Sequence, residues 1–161
     1  MARADTELSA APSISALPIP RSIAVDGAEL VAVARDAVAV GANLWVRVHG
    51  GSMAPAIPVN AEVRLAKLVA NQPSVGDVVL ARTATGQPML HRVRAIRGQR
   101  IQLQGDNLLT PDDPLSLSDI VAIADAVRVD GRVAPIAAAQ RSVGTRVARL
   151  LRLLRRRIVN G

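Results

Sequence analysis

The sequence predicts a mainly β protein, a twisted and partly barrel-like sheet assembly with one N-terminal helix and one C-terminal basic amphipathic helix. The chain has 161 residues and about half of them are hydrophobic, which suits one domain with a single core. In its centre, short segments rich in Val, Leu and Ile alternate with turn residues, a pattern typical of strands. Helical spacing of apolar residues occurs near both ends.

The N-terminal helix is predicted from Ala28 to Val40. Apolar residues recur there near helical spacing, Glu29 lies in the first turn, and Gly41 is available as a terminator. The apolar stripe consists of Leu30, Val31, Ala34, Ala37 and Val38. One amphipathic helix therefore precedes the sheet.

Six strands are predicted after this helix, each rich in β-branched and aliphatic residues. They are Leu44 to His49, Glu62 to Leu68, Asp77 to Arg82, Pro88 to Ile96, Arg100 to Gln104 and Asp119 to Val129. Turn residues follow several of them, at Thr85 to Pro88, Arg97 to Gln99 and Asp130-Gly131. A loop rich in Pro and Asp, Thr110 to Pro114, precedes the last strand.

This organisation predicts three regions: a flexible leader over residues 1–27, a folded domain over residues 28–135, and a linker with a basic helix over residues 136–161. The leader lacks the charged start and apolar run of a signal peptide. No run of about 18 apolar residues, the length of a membrane-spanning helix, occurs in the chain. A cytoplasmic protein is expected, with peripheral attachment to the inner membrane face as a further option.

The formal net charge of +7 comes from the tail, because seven arginines lie between Arg141 and Arg157. The rest of the chain is close to balanced and has neither Phe nor Tyr, so no nucleic-acid partner is expected. Cysteine is absent, and two histidines, His49 and His91, are too few for an imidazole metal cage. The sequence therefore predicts neither a metal site nor a cofactor.

The tail has the pattern of a basic amphipathic helix. Its apolar residues follow a helical stripe from Val143 to Ile158, with arginines beside and opposite the stripe. Such a helix suits an anionic membrane surface. Docking on the domain's own core, binding of a partner helix and contact with RNA are the alternatives for this segment.

Ser52 is the first residue with a candidate chemical role. It follows a predicted strand and the pair Gly50-Gly51, whose missing side chains allow the sharp bend that exposes a serine hydroxyl at a strand end. The backbone N–H of Ser52 can help to bind a developing oxyanion. A plain Gly-Gly-Ser turn is the alternative interpretation.

His91 is the second such residue, and it lies in the fourth predicted strand. Alternation of side chains along this strand places His91 on the more apolar face. The other residues of that face are Met89, Val93 and Ala95. A packed core histidine explains this position at least as well as a catalytic one does.

Read in order, several short motifs resemble the boxes of signal peptidases. They are Gly50 to Pro55, Gly76 to Val79, His91 to Val93, Gly105 to Asn107 and Pro111 to Asp113. In the bacterial branch, and in the related SOS and phage repressors, the general base is a lysine. Histidine stands at that place here, so the chain resembles the archaeal and endoplasmic-reticulum branch. The resemblance implies a serine endopeptidase acting on a peptide or preprotein with small residues before the cut.

This resemblance also implies roles for individual residues. Ser52 would be the nucleophile and His91 the general base, supported by Asp106 and by one residue of the pair Asp112-Asp113. Asp112 fits the family spacing because it lies six positions after Asp106, and Asp113 is the close alternative. Loop capping is the other explanation for all three aspartates.

Lys67, the only lysine, is a weak candidate for the base. It lies in an earlier strand than the one that supplies the base in the family, and we expect it at the surface. The ordinary pKa of lysine is about 10.4, so a lysine base needs strong desolvation, whereas that of histidine is about 6.5.

Three features depart from the family pattern. Val59-Asn60-Ala61 replaces a Gly-Asp turn, Gly50 lacks the hydroxyl that assists the oxyanion in the lysine branch, and no membrane-spanning anchor is found. A non-catalytic module that keeps the fold and binds peptides or membranes is therefore the alternative function. Self-cleavage, as in SOS repressors, fits worse because no helix-turn-helix region fits into the short leader.

Overall fold

A computed structural model describes residues 27–68 and 72–136 of the chain, and in this part the predicted mainly β fold is confirmed. Its elements are α1 (Gly27–Ala39), β1 (Leu44–Arg47), β2 (Glu62–Ala66), β3 (Val78–Arg82), β4 (Pro88–Arg97), β5 (Arg100–Gln104), β6 (Leu115–Ser116), β7 (Ile120–Val129) and β8 (Arg132–Pro135). The predicted C-terminal helix and nearly all of the predicted leader lie outside the described residues.

Neighbouring strands are antiparallel, and the sheet curls into a half-barrel with the order β1–β2–β7–β3–β4–β5–β6. β7 is central in this order. One of its edges pairs with β2, and the other pairs with β3 along the first half of β7 and with β8 along the second half. The late strand β7 thereby connects the β1–β2 hairpin to the strands β3 to β6.

The observed bounds of the six predicted strands lie within two residues of the expected ones. The sequence did not predict β6 and β8. β6 has only two residues, and all four residues of β8 are exposed, so neither shows a buried-exposed alternation. Asp130 and Gly131 have φ angles of 48° and 77°, the left-handed pair of a type I′ turn, and they join β7 to β8 as a hairpin.

Buried side chains form two clusters on opposite faces of the sheet. The larger cluster contains the inner face of α1 together with Val63, Leu65, Val78, Leu80, Ala122 and Ala124. The smaller cluster consists of Val79, Ala81, Val93, Ile101 and Leu103. His91 pairs with Val79 across β3 and β4, and paired residues project from the same face of a sheet. The side chain of His91 therefore lies on the face of the smaller cluster.

The predicted face of β4 needs one correction. A β-bulge between Val93 and Ala95 shifts the alternation of side chains by one residue. Ile96, and not Ala95, therefore packs against the smaller cluster. Met89 and Val93 lie on the predicted face, because they precede the bulge.

Ion pairs connect β2 to β7. Arg64 donates two hydrogen bonds to Asp125, at 2.8 and 2.9 Å, and Arg128 donates one to Glu62 at 2.7 Å. The hydrogen bond to Asp125, followed by charge attraction, raises the pKa of the Arg64 guanidinium. Arg128 also lies 4.2 Å from the centre of the Trp45 ring, a cation–π contact. These contacts favour one register between β2 and β7.

Candidate active site

The loop between β1 and β2, residues 48–61, carries Ser52 and is called the Ser52 loop below. Two apolar side chains of this loop, Met53 and Ile57, are 1% and 0% exposed and belong to the larger core cluster. Val48 and Ala61 form a backbone hydrogen bond of 2.8 Å that closes the base of the loop. The half-buried Ser52 is thus attached to the core by the residue that follows it.

The Ser52 loop forms a tight turn at Val59-Asn60-Ala61, the segment that replaces the Gly-Asp turn of the family pattern. Asn60 has a φ of 66° and donates its backbone N–H to the Val48 carbonyl at 2.7 Å. Asparagine tolerates this left-handed conformation better than most residues, so it replaces the usual glycine. By contrast, Gly50 and Gly51 have no positive φ. The expected bend at this pair therefore does not depend on a glycine-only conformation.

His91 lies between Ser52 and Asp112. Its Nε2 is 3.0 Å from the Ser52 hydroxyl oxygen, and its Nδ1 is 2.7 Å from a carboxylate oxygen of Asp112. The histidine is only 7% exposed. With the proton on Nδ1, the ring donates to Asp112 and leaves the Nε2 lone pair to accept from the Ser52 hydroxyl. The three side chains can therefore move a proton away from the serine oxygen.

Asp112 is fixed in this position by the neighbouring strand β5. Its backbone N–H donates to the Leu103 carbonyl at 2.9 Å, and its own carbonyl accepts a hydrogen bond from the Gln102 side chain. Asp113, the alternative acidic residue, is exposed. Of the pair, the structure brings Asp112 to the imidazole.

Asp106 lies in a different set of contacts, although the sequence grouped it with the other site residues. Its carboxylate accepts hydrogen bonds from Arg92 at 2.6 and 2.9 Å and from Arg94 at 3.1 Å. Both ring nitrogens of His91 already have Ser52 and Asp112 as partners. The structure therefore places Asp106 in an ion pair with Arg92 and Arg94, and it brings Asp112 to the imidazole.

Arg92 was not recognised from the sequence as a site residue. It is 2% exposed, and besides Asp106 it donates to the Gly76 carbonyl at 2.7 Å. Arg92 therefore links the Gly76 turn, the strand that carries His91 and the turn that carries Asp106. Removing one partner of a buried ion pair costs about 3–5 kcal/mol, because the other charge remains desolvated.

Gly105 lies directly against the reactive side chains. A Cβ at this position would be 2.7 Å from the Ser52 carbonyl oxygen and 3.0 Å from His91 Nε2. Real Cβ atoms do not approach a backbone oxygen so closely, so the Ser52 loop would have to move. Glycine is required here by the lack of space and not by its φ angle.

Asn107 connects the turn of residues 105–108 to the Ser52 loop. Its backbone N–H donates to the Ser52 carbonyl at 2.6 Å, and its side-chain amide donates to the Gly51 carbonyl at 3.1 Å. The sequence placed Asn107 in a motif but gave it no role, because the two contacts join residues more than 50 positions apart. This residue holds the backbone on both sides of the Ser52 Cα atom.

Other possible sites are few in the described part of the chain. Lys67 is exposed, as we predicted. Residues 27–68 and 72–136 contain no group of three or more His, Asp or Glu side chains arranged to hold a metal ion. None of the helices within these ranges has the length and apolar character needed to cross a membrane.

The family model described as signal peptidase, peptidase S26, matches residues 28–144. The matched range contains the whole sheet, the Ser52 loop, His91 and Asp112. A search of curated proteins finds no match for the chain.

Proposed function

The chain belongs to the signal peptidase family, peptidase S26, and from this premise we propose that it is a serine endopeptidase with Ser52 as nucleophile and His91 as general base. One observation carries the proposal: the His91 ring has Ser52 at 3.0 Å from one nitrogen and Asp112 at 2.7 Å from the other. This is the order of groups that activates a serine hydroxyl. It favours the histidine-base branch of the family.

The reaction follows from these contacts. His91 Nε2 takes the proton of the Ser52 hydroxyl as the serine oxygen attacks the peptide carbonyl carbon. The resulting imidazolium is stabilised by the Asp112 carboxylate and gives its proton to the leaving amine. An acyl-enzyme on Ser52 remains. Water, deprotonated by His91, then attacks the ester carbonyl carbon. The bond between this carbon and the Ser52 oxygen breaks, His91 returns the proton to that oxygen, and the acid leaves.

The oxyanion of the tetrahedral intermediate needs a hydrogen-bond donor near Ser52. No described group accepts a hydrogen bond from the Ser52 backbone N–H, so this donor is available. Gly50 supplies no hydroxyl, and the space beside it is open, since a Cβ there would meet no atom within 4 Å. We therefore assign the Ser52 N–H as an oxyanion donor and the open side of Gly50 as room for the substrate.

The expected substrate is an extended peptide or preprotein segment with small residues before the cut, as in the family. An alternative is a non-catalytic module with the same fold. The altered turn after Pro55 was the sequence feature that favoured this module. Asn60 has the left-handed conformation that such a turn needs, so the altered residues are compatible with the peptidase fold.

A fluorophosphonate probe tests the proposed function. We expect the probe to phosphonylate Ser52 in the native protein, with loss of fluoride, because the neighbouring imidazole activates the serine hydroxyl. Labelling, measured by intact-protein mass spectrometry, is expected to disappear in Ser52→Ala. Ser74→Ala, which removes an exposed serine outside the site, serves as the control. A native protein that stays unlabelled would support the non-catalytic module.

We also propose that the tail binds anionic membrane surfaces through its arginines and apolar stripe. Deleting residues 141–161 is expected to abolish co-sedimentation with vesicles that contain phosphatidylglycerol. Salt should weaken binding of the full chain, because the screening length falls from about 8 Å at physiological ionic strength to about 3 Å at 1 M. Vesicles of phosphatidylcholine alone are the control. Equal sedimentation of the truncated chain would contradict this role.

A further inference from the structure

Asn107 contacts the backbone that carries both the nucleophile and the oxyanion donor. Its side-chain amide donates to the Gly51 carbonyl, and its N–H donates to the Ser52 carbonyl. These carbonyls belong to the two peptide units that flank the Ser52 Cα atom. Because each peptide unit is planar, fixing its carbonyl also fixes its orientation.

The contact with the Gly51 carbonyl has a chemical consequence. The peptide bond between Gly51 and Ser52 is trans, since the only cis bond in the described residues precedes Pro55. In a trans unit the carbonyl and the N–H point in opposite directions. The Asn107 amide holds the oxygen of this unit, so the Ser52 N–H points away from the Asn107 turn. Among the described groups, none accepts a hydrogen bond from the Ser52 N–H.

We propose that Asn107 is a positioning residue that directs the Ser52 N–H at the developing oxyanion. Its second bond, of 2.6 Å to the Ser52 carbonyl, fixes the following peptide unit as well. Asn107 thereby restrains both peptide units that flank Ser52, and with them the direction of the Ser52 N–H relative to the hydroxyl. The Ala54 N–H, which donates to the same Gly51 carbonyl at 3.2 Å, supports the first of these units from within the Ser52 loop. This inference rests on the proposed function. It gives Asn107 the role of orienting the Ser52 N–H, which stabilises the oxyanion of the transition state.

The test compares two substrates that differ in one atom. N-acetyl-trialanine methyl ester develops negative charge on oxygen, whereas its thionoester develops the charge on sulfur, a weaker hydrogen-bond acceptor. We expect Asn107→Ala to lower kcat for the ester by about 10- to 100-fold with little change in KM. This is less than the roughly 10²- to 10³-fold effect of removing an oxyanion donor outright. The rate on the thionoester should change little, so the ester-to-thionoester ratio should fall.

Gln104→Ala is the matched control. The Gln104 amide also donates to a backbone carbonyl of this turn, that of Leu108 at 2.9 Å, and not to a carbonyl next to Ser52. This variant should keep the native ratio. Asn107→Asp is the second variant, because Asp suits turns and has no amide to donate. It should lower the ratio even if Asn107→Ala folds poorly.

The possible outcomes separate the two proposals. Equal losses on ester and thionoester in both Asn107 variants would overturn the positioning role and leave the peptidase assignment intact. A native protein with no more ester hydrolysis than Ser52→Ala would overturn both. A lowered ratio in the Asn107 variants with a native ratio in Gln104→Ala supports the inference.

Discussion

Replacing His91 by Ala is expected to lower peptide cleavage by roughly 10⁴- to 10⁶-fold, the range seen when a serine peptidase loses its general base. Ser52 has no other described side chain as a hydrogen-bond partner, so no second base replaces the imidazole. Turnover of an internally quenched peptide with Ala before the cut measures the effect. A loss of less than about tenfold would contradict the role of His91 as base.

The alternative to catalysis is that His91 only packs in the core, where it is 7% exposed. Two further measurements separate these roles. His91→Gln keeps a polar side chain of similar size but cannot take up a proton, so it should fold and be as inactive as His91→Ala. Added imidazole should partly restore His91→Ala, because the deleted ring leaves a space beside Ser52. Ser52→Ala should show no such rescue.

Replacing Asp112 by Asn is expected to lower cleavage by about 10²- to 10⁴-fold with little effect on the fold. An Asn amide can donate to Nδ1, which would place the imidazole proton on Nε2. That nitrogen could then no longer accept the Ser52 proton. The charge that stabilises the imidazolium is lost as well. The measurement is kcat on the same peptide, with circular dichroism as the check on folding.

Asp113→Asn is the matched control, since it removes the same charge at the next position. Asp113 is exposed, while the carboxylate of Asp112 is 2.7 Å from the ring. Its replacement should therefore change cleavage less than about twofold. Equal losses in the two variants would mean that the local charge matters and the hydrogen bond does not. A loss in Asp113→Asn alone would assign the supporting role to the neighbouring residue.

The sequence predicted those parts of the fold that depend on local patterns. Strand β4 was predicted to within one residue because its turn residues and aliphatic side chains lie next to one another in the chain. β8 was missed because it depends on pairing with β7 and has no buried face of its own. The bulge after Val93 was missed for a similar reason, since a bulge is defined by the neighbouring strand.

In the candidate site too, the sequence predicted what depends on local motifs and missed what depends on contacts between distant segments. Ser52 and His91 could be selected because their motifs resemble those of a family. The sequence left both Asp112 and Asp113 as candidates, because the choice depends on the hydrogen bond between the Asp112 N–H and the Leu103 carbonyl. The alternation along β4 predicts Arg92 on the face opposite His91. The burial of Arg92 is explained by Asp106 and the Gly76 carbonyl, which belong to turns distant in sequence.

The central position of β7 has a consequence for when the proposed chemistry begins. Ser52 belongs to the segment of α1, β1 and β2, whereas His91 and Asp112 belong to the segment that starts with β3. Within the sheet, these segments meet where β7 pairs with β2. A nascent chain that has not yet formed β7 therefore holds nucleophile and base in separate fragments. The proposed Ser52–His91 pair is therefore assembled only once β7 has paired with β2.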